Sequence, residues 1–496
     1  MFYKISELLI VSVLIAQTSW SKTSKIDFLK KWEQNPQAVS DEVPVKEGAE
    51  VSYKFSQQDI RNQKFIDQKI QYRLEQCLKS GQGECEQKIS PLEMSEDRTS
   101  IQKFLGRIPE INIYKLDAYK IGAAQVTPWS GSYWPYNQGG IGMRYSDKQF
   151  PHSSDFIDNL NYYEQNYGKD SSLINNLDIL SPAEKYDLLI DDKNWTLTHN
   201  SWEAGRRLYK DSGKILRWMG ICDGWAPAAM IVPEPKKSFS VHLPHLGRTV
   251  KFFPDDIKAL VSQLWASANV PSEMIGGRCN TKSPIADLTG HIISSKCFDV
   301  NPATWHLVLL NMVGMNRESF IFDSTYDYEV WNQPISSYSL SYFNPSSKEK
   351  SNNLKDVMIP YSDFSGDWFR FYRSSGIESI VGVELKLKYT VESKPKQASG
   401  VASPRFVQVT YHYDLEIDKD GNVIGGEWYQ RAHPDMIWKP KENKAIVAGE
   451  PRLSSWSDFL PIPLDVATFA KMAAKSTQPI NAILDKLLLL SSGAKK

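Results

Sequence analysis

A thiol followed by a Gly-Trp turn and an apolar run is a candidate nucleophile. Cys222 stands in such a segment, WMGICDGWAPAAMIV (218–232). Pro227 is expected in the first turn of a helix there, because the N–H it lacks would be unpaired in any case. A cysteine at a helix N-terminus meets the positive end of the dipole and free backbone N–H groups. Both favour the thiolate, and the same N–H groups can hold an oxyanion. The chemistry that suits this arrangement is covalent acyl transfer. The competing reading is a buried, inert cysteine, since free Cys is among the most buried residue types.

A thiol of this kind needs a base, and the chain offers eight histidines. His306 stands out because it follows Trp305 at the start of an apolar run, WHLVLLNMVGM (305–315). A second run, ESFIFDST (318–325), follows the polar turn Asn316-Arg317 and carries Asp323 near its end. Two apolar runs split by a polar turn read as a buried hairpin. The start of one strand would then lie beside the end of the next, so Asp323 could orient the His306 imidazole and stabilise its charged form. The alternative is a satisfied core histidine.

The elements around these residues are partly legible. Residues 55–79 carry a helical pattern of apolar positions. TPWSGSYWPYNQGGIGMRY (127–145) reads as a loop of rigid aromatics. Ser181-Pro182-Ala183-Glu184 is a capping box with Pro at the first helical position, and Pro254-Asp255-Asp256 opens another helix. Residues 378–392 read as a strand. FVQVTYHYDLEI (406–417) alternates at period two and turns through Asp420-Gly421-Asn422 into 423–429. Residues 464–496 are expected to be helical.

Class is bounded by composition and by the N-terminus. Lys+Arg and Asp+Glu both total 58, so no net charge points to nucleic acid or an anionic membrane. Lys4 and the apolar run Leu8–Ala16 read as a signal peptide, too short to span a bilayer. We therefore expect a secreted protein (periplasmic in a bacterium) with no membrane span in its mature form. Five cysteines in an exported chain leave one over. Cys77 and Cys85 flank a glycine turn, Cys279 and Cys297 bracket a loop, and pairing neighbours leaves Cys222 alone. Four cysteines allow three pairings, so the connectivity stays open. His242 and His245 have metal-like spacing but no third ligand, and 418–421 lacks the ligand spacing of a calcium loop. No metal or cofactor is expected, with calcium dependence left open.

The blocks taken together resemble the transglutaminase elicitor family, known from oomycete plant pathogens and some bacteria. The matching stretches are WSGSYWP (129–135), SPAEKYDLL (181–189), GICDGWAPA (220–228), GGRCN (276–280), NPATWHLVL (301–309) and FIFDSTYDYEVWNQP (320–334), with GGEWY (425–429) and HPDMIW (433–438) also fitting. By that resemblance the catalytic Cys falls on Cys222, the His on His306 and the Asp on Asp323. In transglutaminases generally a Trp upstream of the Cys assists the oxyanion. Trp218 is the match, and Trp218, Trp225 and Trp305 are the candidates to line the cleft. VWNQP (330–334) resembles the start of the peptide that plants recognise in the oomycete enzymes, but the chain then departs as ISSYSLSYF. The chain also has Asp223 after the cysteine, where the family commonly has His.

The resemblance implies an α+β fold with a papain-like transglutaminase core: Cys on a helix N-terminus, packed against an antiparallel sheet, with a helical N-terminal extension. The expected organisation is a signal peptide at 1–21, an extension or prosegment covering the cleft at 22–115, a catalytic domain at 116–460 and a helical tail at 461–496. The implied activity joins protein-bound Gln to Lys through a Cys thioester, so the partners are protein substrates with accessible Gln and Lys. Two rivals remain: a cysteine peptidase or glutamine deamidase on the same three residues, and a non-catalytic secreted elicitor or binding protein.

Overall fold

Local signals act first where the chain enters its helices. Ser181 Oγ accepts from Glu184 N at 3.1 Å, while Glu184 Oε2 accepts from Ser181 N at 2.8 Å. This reciprocal cap starts the helix Pro182–Leu189 as the sequence reads. Pro254 likewise begins the helix Pro254–Ser267. The computed structural model describes residues 101–167, 172, 174–276, 300–325, 329–367, 369–370, 373–374, 376–429, 433–434, 436–456 and 461–493. The expected leader, the 55–79 helix and Cys77, Cys85, Cys279 and Cys297 lie outside them. The chain divides into Met1–Pro44 and Val45–Lys496, and the described residues all belong to the second unit.

The described residues form an α+β fold around an antiparallel sheet. Its strands are β1 (Ile121–Ala123), β4 (Ser272–Gly276), β5 (Ile321–Asp323), β6 (Asn332–Phe343), β7 (Lys350–Ser351), β8 (Ile359–Pro360), β9 (Ser379–Thr390), β10 (Phe406–Ile417), β11 (Val423–Gly425) and β12 (Met436–Pro440). The order along the main path is β11-β10-β9-β6-β5-β12-β4. A separate hairpin joins β2 (Phe239–Leu243) to β3 (Arg248–Phe252). His242 lies on β2, and His245 in the turn faces Asp191 at 3.5 Å. The helices of eight residues or more are α1 (Phe156–Asn166), α2 (Pro182–Leu189), α3 (Thr196–Ser212), α4 (Cys222–Ile231), α5 (Pro254–Ser267), α6 (Pro302–Leu309), α7 (Leu464–Ala474) and α8 (Asn481–Ser492). No helix among the described residues is long and apolar enough to cross a membrane.

The sheet separates two packed layers, and this decides what can meet Cys222. Successive side chains on a strand point to opposite faces. On β5, Phe322 meets Trp305 of α6 at a tilt, ring centres 5.8 Å apart, and Phe320 before it lies 6.0 Å from the same indole. Ile321 points the other way, into the core that holds Trp225, Ala226 and Ala229 of α4. Helix α5 is buried along nearly its whole length in that second layer. Its Asp256 pairs with the fully buried Lys185 of α2 at 2.6 Å.

The sheet's hairpin differs from the sequence reading. Residues 302–309 are helix α6, continued as a π-helical segment, Leu310–Asn316, not a strand. Asn301 caps the helix through Ala303 N at 2.8 Å, and Pro302 occupies its first position. Every residue of α6 is buried, so it has no solvent-facing side and shows no helical stripe. Periodicity alone cannot tell such a run from a buried strand.

Residues 101–115, read as part of an extension, pack into the body. Ile101, Phe104 and Ile113 are buried. Phe104 meets Phe320 edge-on at 6.1 Å, and Ile113 N donates to Gly421 O at 2.8 Å. At the other end, α8 is tied down by Ser491 Oγ donating to Lys237 O at 2.8 Å.

Candidate active site

Cys222 is the first residue of α4, one turn earlier than the sequence suggested. Pro227 lies inside this helix rather than opening it. The turn starts early because Ile221 O accepts from both Gly224 N (3.1 Å) and Trp225 N (2.9 Å). Ile221 supplies no side-chain cap, and the Asp223 carboxylate in the first turn takes hydrogen bonds from its own N–H and that of Gly224. The thiol sits at the helix terminus with the dipole's positive end beneath it. Gly224 is required by proximity: a Cβ there would fall 2.2 Å from Ser262 O on α5.

The aromatic loop braces this terminus. Ile221 N donates to Tyr133 O at 2.7 Å and Tyr136 N to Met219 O at 2.9 Å, a short antiparallel clasp. A Cβ on Gly220 would fall 2.3 Å from Tyr133 O, which explains the glycine before Ile221. The Tyr133 ring meets Trp331 at 5.5 Å. Trp225 is fully buried beneath Gly131, and its Nε1 has no hydrogen-bond partner among the described residues.

Across from the thiol stands the stretch 330–332. The Cys222 thiol faces Val330 O at 3.8 Å, and Asn332 Nδ2 lies 3.4 Å from Sγ. Asn332 Oδ1 in turn accepts from Trp438 Nε1 at 2.7 Å. Asp323 is directly opposite Asn332 in the β5–β6 register, so both face the α4 side of the sheet. Asp323 Oδ1 accepts from Thr325 N (3.1 Å), Thr325 Oγ1 (2.9 Å) and Trp331 N (2.9 Å), shaping the turn that delivers Val330 and Asn332.

His306 is not part of this group. It sits on α6, against the opposite face of the sheet, and its Nδ1 is 2.8 Å from Tyr413 Oη. Its Nε2 has no partner among the described residues. Burial drives its pKa down to about 3, so the imidazole is neutral. The expected hairpin, which would have set it beside Asp323, is replaced by the α6 helix. Trp305 is likewise fully buried among Phe320, Phe322, Tyr411 and Trp428 rather than at an opening. Trp218 lies in the half-buried turn before α4.

The electrostatics leave the thiol protonated. Burial pushes Cys222 up to about 12; Asp223 and Glu392 raise it further, and hydrogen bonds from the Asn332 main chain and side chain lower it. Glu392 receives Gln333 Nε2 at 3.0 and 3.1 Å and is itself pushed by burial to about 7. Glu392→Gln removes a negative charge near the sulfur while leaving that hydrogen bond possible. Alkylation of Cys222 by iodoacetamide is expected to be several-fold faster in this variant at pH 8–9, because a lower thiol pKa raises the thiolate fraction more than it blunts the nucleophile. Below about pH 6 the native Glu392 is already protonated and the two rates should converge. Equal rates at both pH values would show that Glu392 has no hold on the sulfur.

Asn332, Trp438, Tyr133 and Val330 were assigned no role from sequence. All lie within or beside the recognised blocks, but their meeting is set by pairings of distant strands. The run 330–334 is buried throughout, so the folded chain presents little of VWNQP on its surface.

Two comparisons bear on this arrangement. The family model described as "Transglutaminase elicitor" matches residues 97–450. The crystal structure of the GP42 transglutaminase from Phytophthora sojae is similar, with a TM-score of 0.52 at 21% identity, over 80% of this chain and 98% of that one. At that identity the likeness is one of fold. No curated protein sequence matches the chain.

Proposed function

The chain belongs to the transglutaminase elicitor family, and from that premise we propose that it is a thiol acyltransferase with Cys222 as nucleophile. The observation that carries this reading is the position of the thiol: first residue of a helix, facing amide donors on the sheet. A thiolate at a helix terminus and aligned N–H groups are what attack on a carboxamide requires.

The reaction balances without further reagents. Cys222 Sγ bonds to the γ-carbon of a protein-bound Gln, the C–N bond breaks, and the thiol proton leaves with ammonia. A Lys amine then takes the acyl group and releases the thiol, forming an isopeptide; water in its place gives Glu. The Asp323 carboxylate, one strand from Asn332, holds Thr325 and Trp331 and so fixes the 330–332 stretch beside the thiol. His306 has no assigned part in these steps. The papain-like comparison extends to the helix-terminal cysteine packed on an antiparallel sheet. Export by the leader and protein substrates complete the reading.

A second reading draws on the same thiol. Its 5% exposure and raised pKa also suit a non-catalytic recognition protein. The test is incorporation of a labelled primary amine into a Gln-containing protein, with ammonia release and peptide cleavage followed in parallel. The expected result is incorporation accompanied by ammonia, both lost after Cys222 is alkylated. Ammonia without incorporation would mean a deamidase, cleavage a peptidase, and silence in all three a binding protein.

A further inference from the structure

Asn332 is the described side chain whose polar group lies against the reacting sulfur, and its orientation follows from chemistry. An amide has one accepting and one donating end, and the two are distinguished by their partners. The indole N–H of Trp438 can only donate, and it lies 2.7 Å from Oδ1. The –NH2 end must therefore face Cys222, where Nδ2 is 3.4 Å from Sγ. Asn332 is 4% exposed, so water competes little for that donor.

The sheet builds this relay from three adjacent strands. Trp438 of β12 is opposite Ile321 of β5, and Asp323 of β5 is opposite Asn332 of β6. Because Ile321 and Asp323 share a face, Trp438 and Asn332 stand on that face too, the one that packs on α4. Hydrogen bonds from Asn332 favour the charged sulfur, whereas Asp223 and Glu392 oppose it. With His306 behind the sheet, the Asn332 amide is the side chain that directs a hydrogen-bond donor at the sulfur, at 3.4 Å.

We propose that the Asn332 side-chain amide is a catalytic donor that stabilises negative charge on Cys222 Sγ, and that Trp438 is the positioning residue that keeps its donating end on the sulfur. The amide carries no proton away; it lowers the free energy of the thiolate before attack. The inference rests on the acyl-transfer reading for its catalytic consequence but not for its effect on the thiol.

The test uses the full chain with Asn332→Leu, which keeps the branched shape and removes the donor, and with Trp438→Phe, which keeps an aromatic ring and frees the amide to turn. Cys222→Ala supplies the blank. Iodoacetamide alkylation of Cys222 between pH 8 and 10 is expected to be at least about fivefold slower in Asn332→Leu, given the strength of hydrogen bonds to charged groups. Trp438→Phe should shift it the same way by a smaller factor, a change that loss of packing would not produce. Amine incorporation by Asn332→Leu should lose about 10²-fold in kcat, with KM within about threefold. If Asn332→Leu does not fold, Trp438→Phe decides. Alkylation profiles that superimpose on the wild type in the folded variants would overturn the proposal. Slower alkylation in a protein whose wild type incorporates no amine would uphold the donor and remove the acyl-transfer reading instead.

Discussion

Cys222→Ala should abolish amine incorporation, a loss of at least about 10⁴ in rate, while leaving the protein folded. The loss is large because no other described side chain can form the thioester: Cys222 is the described cysteine, and its neighbours Asn332 and Val330 offer an amide and a carbonyl. Helix-terminal N–H groups and the Asn332 amide would still polarise a bound carboxamide, but without the sulfur there is no acyl-enzyme to pass on. Stability should change little. The deletion removes one heavy atom from a well-buried position, worth on the order of 1 kcal/mol by transfer of a single apolar group. Thermal unfolding and amine incorporation measured on the same preparation separate the two effects. A variant that keeps more than a few per cent of the activity would mean that the acyl group is carried elsewhere.

What could be read from the chain alone follows the range of the forces involved. The capping box at Ser181–Glu184 and the helix opened by Pro254 are local, made by neighbours in sequence, and both are present. The alternation over 406–417 identifies β10 because each side chain answers to one face. The Cys222 segment was legible as a helix-terminal thiol, although the helix begins at the cysteine rather than at Pro227. Position 306 was misread for a physical reason: a helix buried on every side presents no polar stripe, so its apolar run looks like a strand. The thiol's partner was not legible at all. Asn332 is 110 residues from Cys222 and 106 from Trp438, and sequence spacing carries no signal for contacts made by strand pairing at that range.

Asp323 and His306 can be given separate expected outcomes, because the structure sets them on different faces of the sheet. Asp323→Ala should cost at least about 10² in amine incorporation and lower the unfolding temperature. The fully buried carboxylate accepts from Thr325 N, Thr325 Oγ1 and Trp331 N; deleting it strands the buried Trp331 N–H, at about 1–3 kcal/mol, and loses the two half-buried Thr325 bonds. The turn carrying Val330 and Asn332 would then lose its position over the thiol. Asp323→Asn keeps one carbonyl oxygen for those donors and should retain activity within about tenfold if shaping the turn is its role. A carboxylate that orients a catalytic imidazole behaves differently, since the amide imposes the wrong tautomer and costs about 10⁴. His306→Gln should likewise hold activity per folded molecule within about tenfold. Its neutral ring bonds Tyr413 in the opposite layer, so the damage should appear as lost stability, of the order of one buried hydrogen bond and its packing, about 1–3 kcal/mol. Measuring kcat and unfolding for all three variants distinguishes the arrangements. Collapse of kcat in both Asp323→Asn and His306→Gln, with folding intact, would restore the Cys-His-Asp triad that the sequence resemblance implies and would require the sheet to rearrange before catalysis.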